Sequence, residues 1–185
     1  MEIPPERDSA PPPELLEKAR ARDPEALAEL CTFYYPRILK FMRYRVGPSD
    51  ADDLASEVFV KVMRSIDQQT GRFEPWLYQL ARNIIIDRVR YQRVRTETEF
   101  AETMQQTQSN EPPSNDAAAA HVDIEGALAQ MNDEHRELLT LKFVQGMSNQ
   151  EIGEVTGQNL NAIRVMQFRA LKAMRTALEK KGSMP

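Results

Sequence analysis

Two small all-α domains joined by a flexible linker are the architecture this sequence predicts, and three observations carry it. Apolar residues recur every three or four positions along several separate stretches, the period of a buried helical face. No segment shows the two-residue alternation of a half-buried strand, and no internal repeat is present. Between residues 97 and 122 the composition turns polar and acidic, with no Lys or Arg and a Pro-Pro-Ser-Asn-Asp cluster. The expected organisation is a tail over 1–13, a first domain over 14–96, the linker over 97–122, a second domain over 123–181 and a short tail over 182–185.

Each element follows from local signals. Residues 1–13 hold five prolines and almost no large apolar side chain, so they read as a disordered tail. From Pro24 to Val46 the stripe Leu27, Leu30, Tyr34, Ile38 and Phe41 predicts a helix, with Pro36 expected to kink or interrupt it. Gly47-Pro48 ends that helix, and Ser49 with Asp52 predicts a cap for the next. There Leu54, Val58, Val62 and Ile66 lie four apart on one stripe. Residues 68–73 read as a glycine-containing loop, and Pro75 sits where a first helical turn tolerates proline. Trp76, Leu77, Leu80, Ile84, Ile85 and Val89 continue as a long helix ending among arginines. After the linker, four short helices are expected around Ile124 to Met131, Leu138 to Phe143, Ile152 to Val155 and Ile163 to Leu178.

Net charge is -4, from 24 Lys and Arg against 28 Asp and Glu, which argues against indiscriminate coating of nucleic acid. The distribution is more informative. Arg82, Arg88, Arg90, Arg93 and Arg95 face one acid, Asp87, and six basic residues between Asn159 and Lys181 face only Glu179. Asp50, Asp52, Asp53 and Glu57 form an acidic patch that repels phosphate and suits a basic protein partner.

The most specific motif is Gly146-Met147-Ser148-Asn149-Gln150-Glu151-Ile152-Gly153-Glu154-Val155-Thr156-Gly157 followed by Gln158-Asn159 and a basic helix. Ser148 with Glu151 makes a capping box, Gly157 supplies a tight turn and Asn159 starts a second helix, which is the helix-turn-helix plan. The start of such a second helix reaches base edges in the major groove, so Asn159, Asn161, Arg164 and Gln167 are candidate readers, with Arg169 and Lys172 as phosphate contacts. A helical hairpin with a solvated basic face is the plainer alternative. A second signal runs from Phe73 to Arg95, where Trp76, Tyr78 and Tyr91 interleave with arginines, the equipment for stacking unpaired bases while neutralising phosphate. Trp76 shares the apolar stripe and is equally a core candidate, whereas Tyr78 and Tyr91 fall nearer the polar side.

Other classes find little support. His121 and His135 are fourteen apart, Glu134-His135 lacks the second histidine of an HExxH helix, and no glycine-rich phosphate loop appears. No catalytic residue, cofactor or metal is therefore expected. The single cysteine, Cys31, lies in an apolar helical stretch and can form no internal disulfide, so the cytoplasm is the expected compartment. No apolar run approaches the roughly 18 residues of a membrane span, and no membrane partner is expected.

These segments together resemble the extracytoplasmic function (ECF) class of bacterial RNA polymerase sigma factors. The resemblance rests on DADDLASEVFVKVM followed by WLYQLARNIIIDRVRYQR in the first half, and on LLTLKFVQGMSNQEIGEVTGQNLNAIRVMQFRALKAMR in the second. It implies that the first domain is sigma region 2 and the second sigma region 4. It implies core RNA polymerase as partner, with the clamp helices of the largest subunit meeting Asp50, Asp53 and Glu57 by charge and Phe59, Val60 and Met63 by apolar contact. It implies that Trp76, Tyr78, Arg82, Asn83, Arg88, Arg90 and Arg93 recognise and melt the minus-ten element, the loop 68–73 receiving a flipped base. The helix-turn-helix would read duplex DNA at the minus-thirty-five element and touch the polymerase flap. Regulation by an anti-sigma factor is common in the class. Asn161-Ala162 and Val165-Met166 depart from the Gly-Thr and Ser-Arg of many members, so the upstream preference does not transfer. Elements about 17 base pairs apart lie nearly 60 Å apart at about 35 Å per turn, and a 26-residue linker can extend to roughly 85 Å. The rival class is a helix-turn-helix regulator acting without polymerase, whose dimerisation domain would need neither the acidic helix nor the aromatic and arginine helix.

Overall fold

The computed structural model describes the backbone of residues 11–102 and 124–182, and side chains over 11–92 and 126–179; the Arg93 side chain and the greater part of the segment read as a linker lie outside these limits. The described elements are helical throughout: α1 (Pro13–Arg20), α2 (Pro24–Val46), α3 (Pro48–Ser65), a 3-10 turn (Ile66–Gln68) and α4 (Phe73–Glu102), then α5 (Ile124–Ala129), α6 (Asp133–Leu139), a π turn (Thr140–Val144), α7 (Asn149–Thr156) and α8 (Leu160–Gly182).

In the N-terminal body, α2, α3 and α4 pack their predicted stripes together. Leu30, Tyr34, Ile38 and Phe41 of α2 meet Leu54, Val58 and Val62 of α3, Ile66, and Leu77, Ile84 and Ile85 of α4, all buried. Each such side chain contributes about 1.5–3 kcal/mol when fully removed from water. The C-terminal body closes over Leu128, Leu138, Leu141, Met147, Ile152, Val155 and Ile163 in the same way. These two sets of buried residues join into one continuous cluster.

Four expectations are corrected. The tail read over 1–13 gives way at its end to α1, which begins at Pro13 and buries Leu15 and Ala19. Pro36 does not interrupt α2, which runs through it at an exposed position; the proline, lacking an N–H, removes one helical hydrogen bond, that to the Thr32 carbonyl. Ser49 is not a cap, because Gly47, at φ +87°, precedes a helix that starts on Pro48 with no side-chain cap. Finally α4 does not stop among the arginines but continues to Glu102, six residues into the segment read as linker.

Candidate nucleic-acid interface

The helix-turn-helix forms as its sequence signals require. The Ser148 hydroxyl accepts from the Glu151 N–H at 3.2 Å, and Glu151 Oε2 accepts from the Ser148 N–H at 2.7 Å, completing the capping box. Gly157 ends α7 with φ +73°, and the Asn159 side chain accepts from the Ala162 N–H at 2.9 Å to start α8. Gly153, inside α7, lies against the turn that leads into α8: a Cβ there would lie 2.7 Å from the Gln158 carbonyl oxygen. This close approach fixes how α8 projects.

Along α8, Asn161, Arg164, Arg169 and Lys172 are exposed, and Asn159, Asn161 and Arg169 border one open groove with His135. Gln167 is held differently, since its Oε1 accepts from Asn149 Nδ2 at 2.9 Å and ties α8 to α7. Sequence reasoning passed over Phe168, which is 73% exposed on this helix beside Val165 at 52%. Phe168 falls off the Ile163, Met166 and Ala170 stripe, and that offset in a basic helix was the available signal.

On α3, Asp53, Glu57, Val60 and Met63 are exposed, so the acidic patch and two of its apolar neighbours share an open surface. Phe59 does not join them: it is 6% exposed and packs on Tyr35 with ring centroids 5.5 Å apart. Asp50 lies 3.7 Å from Arg88, linking the start of α3 to α4. Lys61 bridges Glu57 at 3.7 Å and Asp87 at 3.9 Å.

On α4, Asn83, Arg88 and Arg90 are exposed, and Trp76 is half-buried against Phe73 at 5.6 Å. Tyr78 corrects the reading that it faces solvent. It is 3% exposed, packs edge-on against Phe41 at 5.3 Å, and donates its hydroxyl to Gln145 Oε1 at 2.6 Å. The cause is a second covering surface: the C-terminal body sits on the polar side of α4 that periodicity assigned to solvent.

That contact is a seam of arginines and carboxylates. Arg72 of the crossover before α4 pairs with Glu151, and with Glu154 at 3.4 Å. Arg82 Nε lies 3.0 Å from Glu137 Oε1, close enough for charge attraction although the angle is not that of a hydrogen bond. Arg45, whose side chain is 2% exposed, grips Asp133 through Nη1 at 2.9 Å and Nη2 at 3.1 Å. Arg136 donates to the carbonyls of Leu128, Ala129 and Met131, and burial together with the nearby Arg45 charge holds its pKa below the ordinary arginine value.

Among the described residues no group of three or more His, Cys, Asp and Glu is placed to hold a metal ion. Cys31 is half-buried, and desolvation raises its thiol pKa, opposite to what activates a nucleophile. Among the described residues no helix is long and apolar enough to cross a membrane.

Comparison with known proteins matches both bodies to families. The sigma-70 region 2 family model covers residues 30–95 and the sigma-70 region 4 model covers residues 121–174. The ECF RNA polymerase sigma factor BldN of Streptomyces coelicolor is 32% identical over 173 residues, 90% of this chain and 66% of that protein. ShbA of Streptomyces griseus, also an ECF sigma factor, is 30% identical over 186 residues, 89% of this chain and 94% of that protein. SigE of Mycolicibacterium smegmatis is 32% identical, but the chain spans only 58% of its length. The fold matches CnrH bound to the cytosolic domain of CnrY, at a TM-score of 0.68 and 20% identity over 90% of this chain and 96% of that one. It matches equally the sigma factor RpoE bound to the anti-sigma factor NepR from Bartonella quintana, at 0.68 and 18% identity over 84% of this chain and 98% of that one. With region 2 and region 4 matched in order across more than half its length, the chain belongs to the ECF class of RNA polymerase sigma factors.

Proposed function

We propose that this chain binds core RNA polymerase and directs it to start transcription at promoters, with no catalytic site of its own and in the cytoplasm. The observation that carries the reading is the succession, in one polypeptide, of an acidic exposed face on α3, an arginine-bearing α4 and a capped helix-turn-helix. In this reading Asp53, Glu57, Val60 and Met63 dock on the polymerase clamp, and region 4 also touches the flap. Asn83, Arg88, Arg90, Trp76 and the crossover 69–72 engage the melted minus-ten strand. Asn161, Arg164, Arg169 and Lys172 of α8 meet the minus-thirty-five duplex, with Phe168 available to thymine methyl groups.

The closed seam places carboxylates where phosphates would go, on Arg72 and Arg82, and covers Tyr78. Promoter engagement by both bodies therefore requires them to part. The 21 residues between Glu102 and Ile124 can reach about 70 Å at most, still beyond the nearly 60 Å between elements even though α4 takes up part of the linker. An anti-sigma factor is a natural further partner, one that would hold the bodies in an inactive arrangement.

In vitro transcription with core polymerase and a library of promoter fragments tests the reading. Defined start sites are expected; their absence overturns it. Reversing Asp53 and Glu57 to lysine should weaken core association about tenfold or more, since like charges across an interface are costly, while leaving upstream-duplex binding intact. Binding of labelled core to the variant measures it, and an unchanged affinity removes this face from the interface. Arg164→Ala should lower selection of the upstream element about tenfold, as loss of a bidentate base contact does. A footprint identical to that of the unmodified chain would take Arg164 off the reader list.

A further inference from the structure

Helix α1 precedes the segment matched as region 2, residues 30–95, and its burial of Leu15 and Ala19 explains only its apolar side. Two arginines at and just beyond its end converge on one feature, the passage from α3 to α4. Arg20 Nε donates to Gln69 Oε1 at 3.0 Å, and its Nη2 reaches the same oxygen and, at 3.4 Å, the Gly71 carbonyl. Gln69 is only 5% exposed, and its amide turns back on the carbonyls of Thr70 at 2.7 Å and Gly71 at 3.3 Å. Arg22 adopts φ +64°, a left-handed conformation unfavourable outside glycine. From there its guanidinium donates to the Met63 and Arg64 carbonyls, each at 3.3 Å, at the α3 end where helical partners run out. It also pairs with Asp67 at 3.0 Å, and that bond is the first cause holding the Asp67 carboxyl below the usual range.

The consequence is directional. Gln69 and the 3-10 turn are gripped from the α1 side, while Thr70, Gly71 and Arg72 stay exposed. Left untied, a four-residue passage containing a left-handed Gly71 would sample many shapes, and ordering it on contact with DNA would subtract from binding.

We propose that Arg20 and Arg22 are positioning residues for the downstream element: acting through Gln69 and Asp67, they preset the 69–72 crossover in the shape that receives an unpaired base. This rests on the reading that the crossover meets the melted strand. The test uses the full chain assembled with core polymerase on a promoter carrying 2-aminopurine in the downstream element, with core affinity and helicity measured alongside. Arg20→Ala is expected to lower the opening equilibrium about tenfold, with core affinity held to within about twofold. Arg20→Lys should regain part of the loss, because an ammonium can still donate to Gln69, and Arg20→Ala combined with Gln69→Ala should open no worse than Arg20→Ala alone. Full opening by Arg20→Ala, or a parallel loss of core affinity, overturns the proposal. If Arg20→Ala loses helicity, Arg20→Met, which keeps a long unbranched stem and has no group to donate to Gln69, decides by the same readouts. Thr70→Ala and Arg72→Ala separate the two levels. If both open normally, the crossover itself does not meet the strand; if they fail while Arg20→Ala opens normally, the positioning role alone is wrong.

Discussion

Alanine at Gly153 should destabilise the C-terminal body by about 2–3 kcal/mol, in spite of a helix-propensity gain of about 1 kcal/mol. The new Cβ would sit 2.7 Å from the Gln158 carbonyl oxygen, a backbone atom that cannot swing aside. Either α7 and the turn separate, or the turn distorts, and in both cases α8 changes its projection. Gly157→Ala makes the contrast: nothing lies within 4 Å of its Cβ, so only the left-handed φ of +73° is strained, at about 1 kcal/mol. Urea unfolding resolves the two bodies, because the single tryptophan, Trp76, lies in α4 and reports the N-terminal one, while circular dichroism follows both. The expected result is an early loss of helicity ahead of the Trp76 transition, together with lost upstream-element binding and retained core association. A midpoint unchanged by Gly153→Ala would mean that α7 and the turn do not approach as closely as described.

Asp133→Ala should open the closed arrangement, weakening the contact between the bodies by about 2–3 kcal/mol. The partners are unequal. The Asp133 side chain is 71% exposed and would be comfortable in water, whereas that of Arg45 is 2% exposed and depends on the carboxylate. Removing the carboxylate leaves the guanidinium with the Asp133 backbone carbonyl at 3.0 Å and the Arg136 charge nearby, relieved only when the bodies part and water enters. Arg45→Met removes the dependent partner and should weaken the contact much less. Small-angle scattering measures the outcome as a larger radius of gyration for Asp133→Ala than for Arg45→Met. Equal radii would mean that this pair does not govern closure.

Periodicity located the main helices because each buries one stripe against a neighbour close in sequence, and the capping box, Gly157 and Asn159 appeared as read because their bonds span three residues or so. Three things escaped for reasons of the same kind. Helix α1 is eight residues long with two buried positions, too short for a periodic signal beside a proline-rich stretch. Tyr78 and Phe59 seemed to lie off the core because a stripe predicts one buried face, and each is covered by a second surface, Gln145 for Tyr78 and Tyr35 for Phe59. The demand on Gly153 arises from a carbonyl five residues on, after a reversal of chain direction. Charge runs likewise showed that arginines were abundant on α4, but not that Glu137 would face Arg82 across 55 positions.

The carboxylates on Arg72 and Arg82 also bear on how affinity responds to added salt. An arginine that waits for DNA surrounded by solution lets condensed counterions leave the polynucleotide with a full gain, and log affinity falls by about 0.9 per phosphate so neutralised against log salt. Here two of the guanidiniums already hold internal anions, so each exchanges one negative group for another, and added electrolyte loosens the internal pair as it weakens the external one. The intact chain should consequently show a shallower ionic-strength dependence toward the minus-ten strand than a tally of its arginines implies.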